Sequence, residues 1–340
     1  MAAKKSNKAR AVQPNQRAQT TMAVDPQSPT PPPSPIRRPM PWFGWVGLGI
    51  IIVNHVALWA RVHPANVTFT AFIWTGYILL LDGWIWARGH KSYFKDEKLQ
   101  WPMLALFSIL IWVMFEAFNF PLKAWWYEHR PLNFGERELL YAWAYATIIP
   151  AMLRTRSLFN TFDLFHHTHP RWKIQFTPFL LAVCFVLGIA FTFIPLMMEY
   201  PASNPNPFIV FMWLGLIFLI EPINYRLGAP SVFHDLERGK ISFLLQLIAA
   251  GLVCGLLWES LNQQVVWHDG FIWRYNINHI YHICIGGSGV NCTGGYDVKI
   301  GQMPILGFLG YPPFIWECFA LWELCKWALQ GDRLWKSANK

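Results

Sequence analysis

The residues able to do chemistry here are acids placed where acids are expensive. Glu116 and Asn119, and again Glu259 and Asn262, lie three apart within long apolar runs. That spacing puts carboxyl and amide on one helical face, where the Asn can donate to the Glu and fix its rotamer. Asp82 and Glu221 stand toward the ends of two further runs, and Glu317 and Glu323 in the last one. A charged acid at mid-membrane costs about 2.5–3.5 kcal/mol on insertion scales. Such groups therefore face one another, bind a base, or hold a proton. One chemistry they could perform is proton exchange with a ligand in a polar cleft; the other role is a buried clamp between helices. Glu259 and Glu317 are the preferred catalytic candidates, because Glu317 has no acidic counterpart in the first half. Glu116, Asn119, Glu221, Asn262, Trp273 and Tyr275 are the binding candidates.

The elements that position them follow from composition. Only 14% of the 340 residues are charged and 54% are hydrophobic. A soluble domain carries about 25% charged residues, so the outer face must meet lipid. The 20 Trp suit membrane–water boundaries. The net charge of +9 is spread between apolar runs, which assigns membrane lipid rather than nucleic acid as the partner. Eight runs near the length of a spanning helix are read: 42–60, 67–86, 101–120, 137–153, 176–199, 207–227, 241–262 and 304–329. The fold class is all-α, a polytopic membrane protein. Residues 1–40 form a basic, Pro-rich tail expected to be disordered and cytoplasmic. Alternating the eight runs across the bilayer puts 22 Lys and Arg on one side and six on the other. By the positive-inside rule both termini are then cytoplasmic, most simply in a bacterial inner membrane.

The chain also repeats itself. At an offset of 139, Trp74, Gly76, Ile78 and Leu80 fall on Trp213, Gly215, Ile217 and Leu219, and Asp82 on Glu221. Gly89, Ser92, Phe94 and Asp96 fall on Gly228, Ser231, Phe233 and Asp235. At an offset of 143, Phe115-Glu116-x-x-Asn119 falls on Trp258-Glu259-x-x-Asn262. Residues 41–170 and 171–340 therefore read as two four-helix units. An even helix count gives both the same orientation, related by an axis along the membrane normal.

The longest connection, 263–303, is expected outside and folded onto the membrane surface, where it could dock a protein partner. It holds Cys284 and Cys292, a disulfide candidate on the side where thiols oxidise. His268, His279 and His282 match no zinc spacing, and His166, His167 and His169 form one box where a di-iron oxygenase needs several. No metal and no cofactor are expected. Nucleotide-binding loops and a nucleophile elbow are lacking on accessible segments.

Trp258-Glu259, then Gly270-Phe-Ile-Trp273-Arg-Tyr275-Asn276, then Ile300-Gly301 and the Pro-rich last helix resemble, in their order, the membrane lycopene cyclase (carotenoid cyclase) domain. The similarity covers roughly residues 250–320, with an echo at Glu116, Trp126 and Tyr127. Glu259 stands where that family has Asp, and Pro304-Ile-Leu-Gly where it has Pro-Leu-Glu-Glu. The resemblance implies acid–base chemistry on a polyene or other isoprenoid held between helices. Beside that enzyme reading stand two others, a transporter or proton-coupled channel and a non-catalytic accessory subunit. A closed apolar pocket ending at the acids would favour the first. A continuous wet path would favour the second, and acids capped one by one the third.

Overall fold

The computed structural model describes residues 37–168, 170, 172–201, 206–277, 279–287 and 292–330. The tail expected to be disordered lies outside the described residues up to position 36, as does His169. The chain is mostly helical. Its long helices are α1 (Trp42–Trp59), α2 (Ala65–Ala87), α3 (Gln100–Leu122), α4 (Phe134–Asn160), α5 (Pro178–Met197), α6 (Ile209–Leu227), α8 (Ser242–Val266) and α9 (Tyr311–Gln330). A one-and-a-half-turn helix, α7 (Val232–Glu237), follows α6. Six of them, α1, α2, α3, α5, α6 and α8, are long and apolar enough to cross a membrane.

Local signals set several ends. Asn133 caps α4 by accepting from Glu136 N, and Thr177 caps α5 by accepting from Leu180 N with Pro178 at the first helical position. Gly228, with φ +71°, ends α6 in the left-handed turn that glycine adopts most cheaply. The last expected run begins seven residues late, because 303–310 forms a bridge and a 3-10 turn before α9. The two Pro at 312 and 313 then occupy the first turn of α9, where a missing N–H leaves no bond unmade.

Packing separates outer from inner helices. α1 packs on α2 and α5 on α6; α2 then packs on α4, and α6 on α9. α3 packs on α4, α8 on α9, and α4 on α8. α1, α3 and α5 leave most of their apolar length exposed, as expected of faces that meet acyl chains. The α1–α2 crossing is close enough that a Cβ on Gly47 would lie 2.5 Å from the Gly76 carbonyl oxygen. Small residues permit that approach, and dispersion rather than water expulsion holds it in lipid. α4 and α9 carry more charge, yet each touches several other helices, and Arg154, Glu317 and Glu323 are buried against protein.

The fold is not purely helical. β1 (Trp125–Glu128), just after α3, pairs antiparallel with β2 (Ile272–Tyr275), just after α8. Short bridges join β3 (Cys284–Ile285) to β4 (Tyr296–Asp297) and β5 (Lys299–Ile300) to β6 (Met303–Pro304). Cys284 and Cys292 are joined by a disulfide, with Cα atoms 5.4 Å apart.

Candidate functional site

β1 and β2 cover the ends of α3 and α8. Each strand is tied to its helix by the Asn expected to steady a Glu. Asn119 accepts from Ala124 N and Trp125 N, at 2.8 and 3.1 Å, and donates to Trp125 O at 2.8 Å. Asn262 accepts from Trp273 N at 3.3 Å and donates to Trp273 O at 2.9 Å. The amides therefore do not serve the carboxylates. A side-chain amide offers one donor group and one acceptor, the complement of a strand's own backbone pair.

The carboxylates are served by aromatic donors instead. Glu116 Oε1 accepts from Tyr127 OH at 2.6 Å, Trp112 Nε1 at 2.9 Å and Trp125 Nε1 at 3.1 Å, with Tyr145 OH at 3.4 Å. Glu259 Oε1 accepts from Tyr275 OH at 2.8 Å and Tyr311 OH at 2.9 Å, and its Oε2 from Gln302 N at 3.0 Å. Trp273 Nε1 donates to the Tyr275 hydroxyl at 2.8 Å. Neither Tyr145 nor Tyr311 was a sequence candidate. Tyr311 reaches Glu259 by lying against Gly255, where a Cβ would sit 2.3 Å from its ring. Tyr145 is held by a side chain that α3 lends to α4. Ser108 Oγ accepts from Ile149 N and donates to Tyr145 O, filling the ladder just before Pro150.

A cavity of about 190 Å³ lies between these clusters. Six tryptophans line it: Trp74, Trp112, Trp125, Trp213, Trp258 and Trp273. Tyr127, Tyr145, Tyr275 and Tyr311 line it too, so the two carboxyls stand one hydroxyl behind its wall. Among the described residues, no Asp, Glu, Lys, Arg or His lines it. Trp74 and Trp213, matched at the 139-residue offset, both contribute. The sequence echo at Trp126 shifts by one residue: Trp126 is exposed and donates to Glu128, while Trp125 lines the cavity. Alternation along a strand puts 125 and 127 on one face and 126 on the other.

The remaining acids are elsewhere. Asp82 forms a buried ion pair with Arg154 at 2.7 Å and accepts from Ser92 Oγ, Tyr93 N and Phe94 N. Glu221 accepts from Ser231 Oγ, Val232 N and Trp316 Nε1, the last at 2.6 Å. Both are clamps onto the loop ten residues on. Glu317 is wholly buried, and neither oxygen has a hydrogen-bond partner among the described residues. It neither lines the cavity nor bonds Glu259, so the two catalytic candidates are not brought together.

On the outer surface, Arg274 binds Glu128 at 2.6 Å and Gln302 Oε1 at 2.6 Å. The Arg274 hydrogen bond holds the Glu128 carboxyl below its ordinary range. Burial raises Asp297, but hydrogen bonds from Lys299 and His282 outweigh it and leave that carboxyl lowered. His268 packs edge-on against Trp59, and the His279 side chain lies outside the described residues. No group of three His, Cys, Asp or Glu able to hold a metal occurs among the described residues. Compared with known proteins, the chain matches no family model, no curated protein and no solved structure.

Proposed function

We propose that this chain is a membrane enzyme that performs acid–base chemistry on an apolar isoprenoid or related lipid held in the aromatic cavity. The observation that carries the reading is that Tyr275 and Tyr311 line the cavity while both donate to Glu259. A phenol so placed can pass a proton between ligand and carboxyl without exposing either to water. Glu116, Tyr127 and Tyr145 form a second station of the same composition. The cavity's apolar wall also suits the polyene that the cyclase resemblance implies. It is a poor lining for the wet path of a transporter.

The architecture proposed with it is eight spans in two like-oriented repeats, both termini cytoplasmic, in a bacterial inner membrane. At 1.5 Å per residue α4 and α9 are roughly 40 and 30 Å long, and their interior position supports them as the additional spans. The common order of elements, the equivalent Asn clamps and the equivalent Ser–acid clamps support duplication. The accessory-subunit reading draws on a different fact: Asp82 and Glu221 are each engaged on both oxygens by local donors. Those acids are structural under either reading, and membrane lipid is the partner in both.

The test is isotopic and needs no known product. Protein in nanodiscs is incubated in D₂O with an isoprenoid lipid extract, and the recovered lipid is examined for carbon-bound deuterium. Wild type should label it, and Glu259→Gln should lower the rate about a hundredfold or more, the usual weight of a general acid or base. Lipid that gains no deuterium above a protein-free control would remove the enzyme reading.

A further inference from the structure

The walls of the cavity favour one sign of charge. An aromatic ring presents a negative face and a positive edge. In three of the six indoles the N–H, the most positive point of that edge, is already committed. Trp112 and Trp125 donate to Glu116, and Trp273 donates to the Tyr275 hydroxyl. Tyr127, Tyr275 and Tyr311 direct their protons to carboxyls behind the wall. What those phenols have left to offer a ligand is oxygen lone pairs. Among the described residues no basic side chain lines the space, and two carboxyls stand behind it. Every one of these features lowers the energy of a cation and raises that of an anion.

A cation over ring faces gains most where water is excluded, and this wall is almost entirely aromatic and aliphatic. An ammonium group in plain hydrocarbon would be prohibitive. Here rings and carboxyls replace its hydration, while aliphatic neighbours such as Ile148, Ile209 and Leu306 accommodate a chain. We propose that the aromatic cavity binds an apolar ligand bearing a single positive charge, a quaternary or protonated tertiary amine on a hydrocarbon tail. The inference rests on reading the cavity as a ligand site and adds the charge the ligand carries. Two groups pull the other way. Arg130 lies beside the hydroxyl of Tyr141, which lines the cavity, and brings a positive charge near the wall. Trp74 Nε1 is a buried donor without a hydrogen-bond partner among the described residues, which an uncharged ligand with an acceptor oxygen would satisfy. The experiment sets the charged and the uncharged ligand against each other.

Full-length protein in phosphatidylcholine nanodiscs is titrated below micellar concentrations with dodecyltrimethylammonium, dodecanol and dodecyl sulfate. Occupancy is read by native mass spectrometry against empty nanodiscs. The three probes share a tail and differ in charge. The ammonium should bind saturably and about tenfold tighter than the alcohol, with the sulfate at background. Trp213→Phe and Trp213→Leu both keep apolar bulk at the wall, so a ring-face contribution should fall in the order Trp, Phe, Leu for the ammonium alone. Equal affinity for ammonium and alcohol, or an alcohol preference, overturns the charge assignment and leaves the ligand site standing. Failure of all three to bind saturably overturns the ligand site as well.

Discussion

Tyr127 and Tyr275 stand on adjacent antiparallel strands, and each turns its hydroxyl to the Glu of the helix that precedes its own strand, at 2.6 and 2.8 Å. The strand pairing crosses them over, setting Tyr127 opposite Trp273 and Trp125 opposite Tyr275. Two helix ends roughly 150 residues apart in sequence are thereby joined above one cavity. The arrangement explains why a nearly all-helical chain retains a four-residue ribbon.

Breaking the Glu259 cluster should cost stability in proportion to the donors it strands. Tyr275→Phe leaves Glu259 with Tyr311 and Gln302 N as donors. It also leaves Trp273 Nε1 without its acceptor, so the loss in stability should be about 1–3 kcal/mol. Glu259→Leu strands two phenols and a backbone N–H and should cost more, about 1–3 kcal/mol for each donor left buried and unpaired. Thermal unfolding in a fixed detergent measures both.

The clamp at Asp82 should behave as a pair. Arg154 and Asp82 are almost wholly buried, so Arg154→Leu leaves an uncompensated charge and should destabilise by about 3–5 kcal/mol. Adding Asp82→Asn should recover a large part of that loss. A double variant no more stable than Arg154→Leu alone would show that the ion pair is not what the single change disrupts.

The surface ribbon should loosen in acid. The Glu128 carboxyl is lowered by its hydrogen bond from Arg274. A depressed carboxyl contributes stability above its unfolded value near 4.3, and that contribution is lost as pH falls through the folded value. Hydrogen exchange at 125–128 and 272–275 should therefore rise at acid pH in wild type. In Glu128→Gln it should already be raised at neutral pH and respond less to acid. Asp297 adds a similar trend around 282–299. Identical profiles in wild type and Glu128→Gln would discard the ion pair as the cause.

Thiol chemistry should divide the six cysteines. Non-reducing peptide mapping should recover Cys284 linked to Cys292, while Cys184, Cys254 and Cys318, all buried, should label only after denaturation. Closing so short a loop is worth about 2–3 kcal/mol on chain-entropy grounds. Reduction should accordingly raise exchange in 284–297 and leave the helices unchanged.

Much of this was legible in the chain. The apolar runs located six of the long helices within about four residues, because a membrane leaves helices as the economical way to pair backbone groups, and missed by seven at the end of α4 and the start of α9. Asn133, Thr177 and Gly228 set helix ends by local chemistry that the apolar runs alone do not read. The E-x-x-N spacing located both carboxyls but misread their amides, since the partner of each Asn is strand backbone that sequence distance hides. Tyr311 reaches Glu259 from 52 residues away and only because Gly255 yields room, a relation no periodicity carries. Glu317 illustrates the opposite failing. It has no acidic counterpart in the first half, yet among the described residues it has neither a hydrogen-bond partner nor a place at the cavity wall.

The account is tested most directly by a cryo-EM map of the protein in nanodiscs made from its own membrane lipids. It predicts extended non-protein density running between Trp74 and Trp213 and touching the hydroxyls of Tyr275 and Tyr311. A map in which that space is empty or filled by side chains, with lipid confined to the outer faces of α1, α3 and α5, would contradict it.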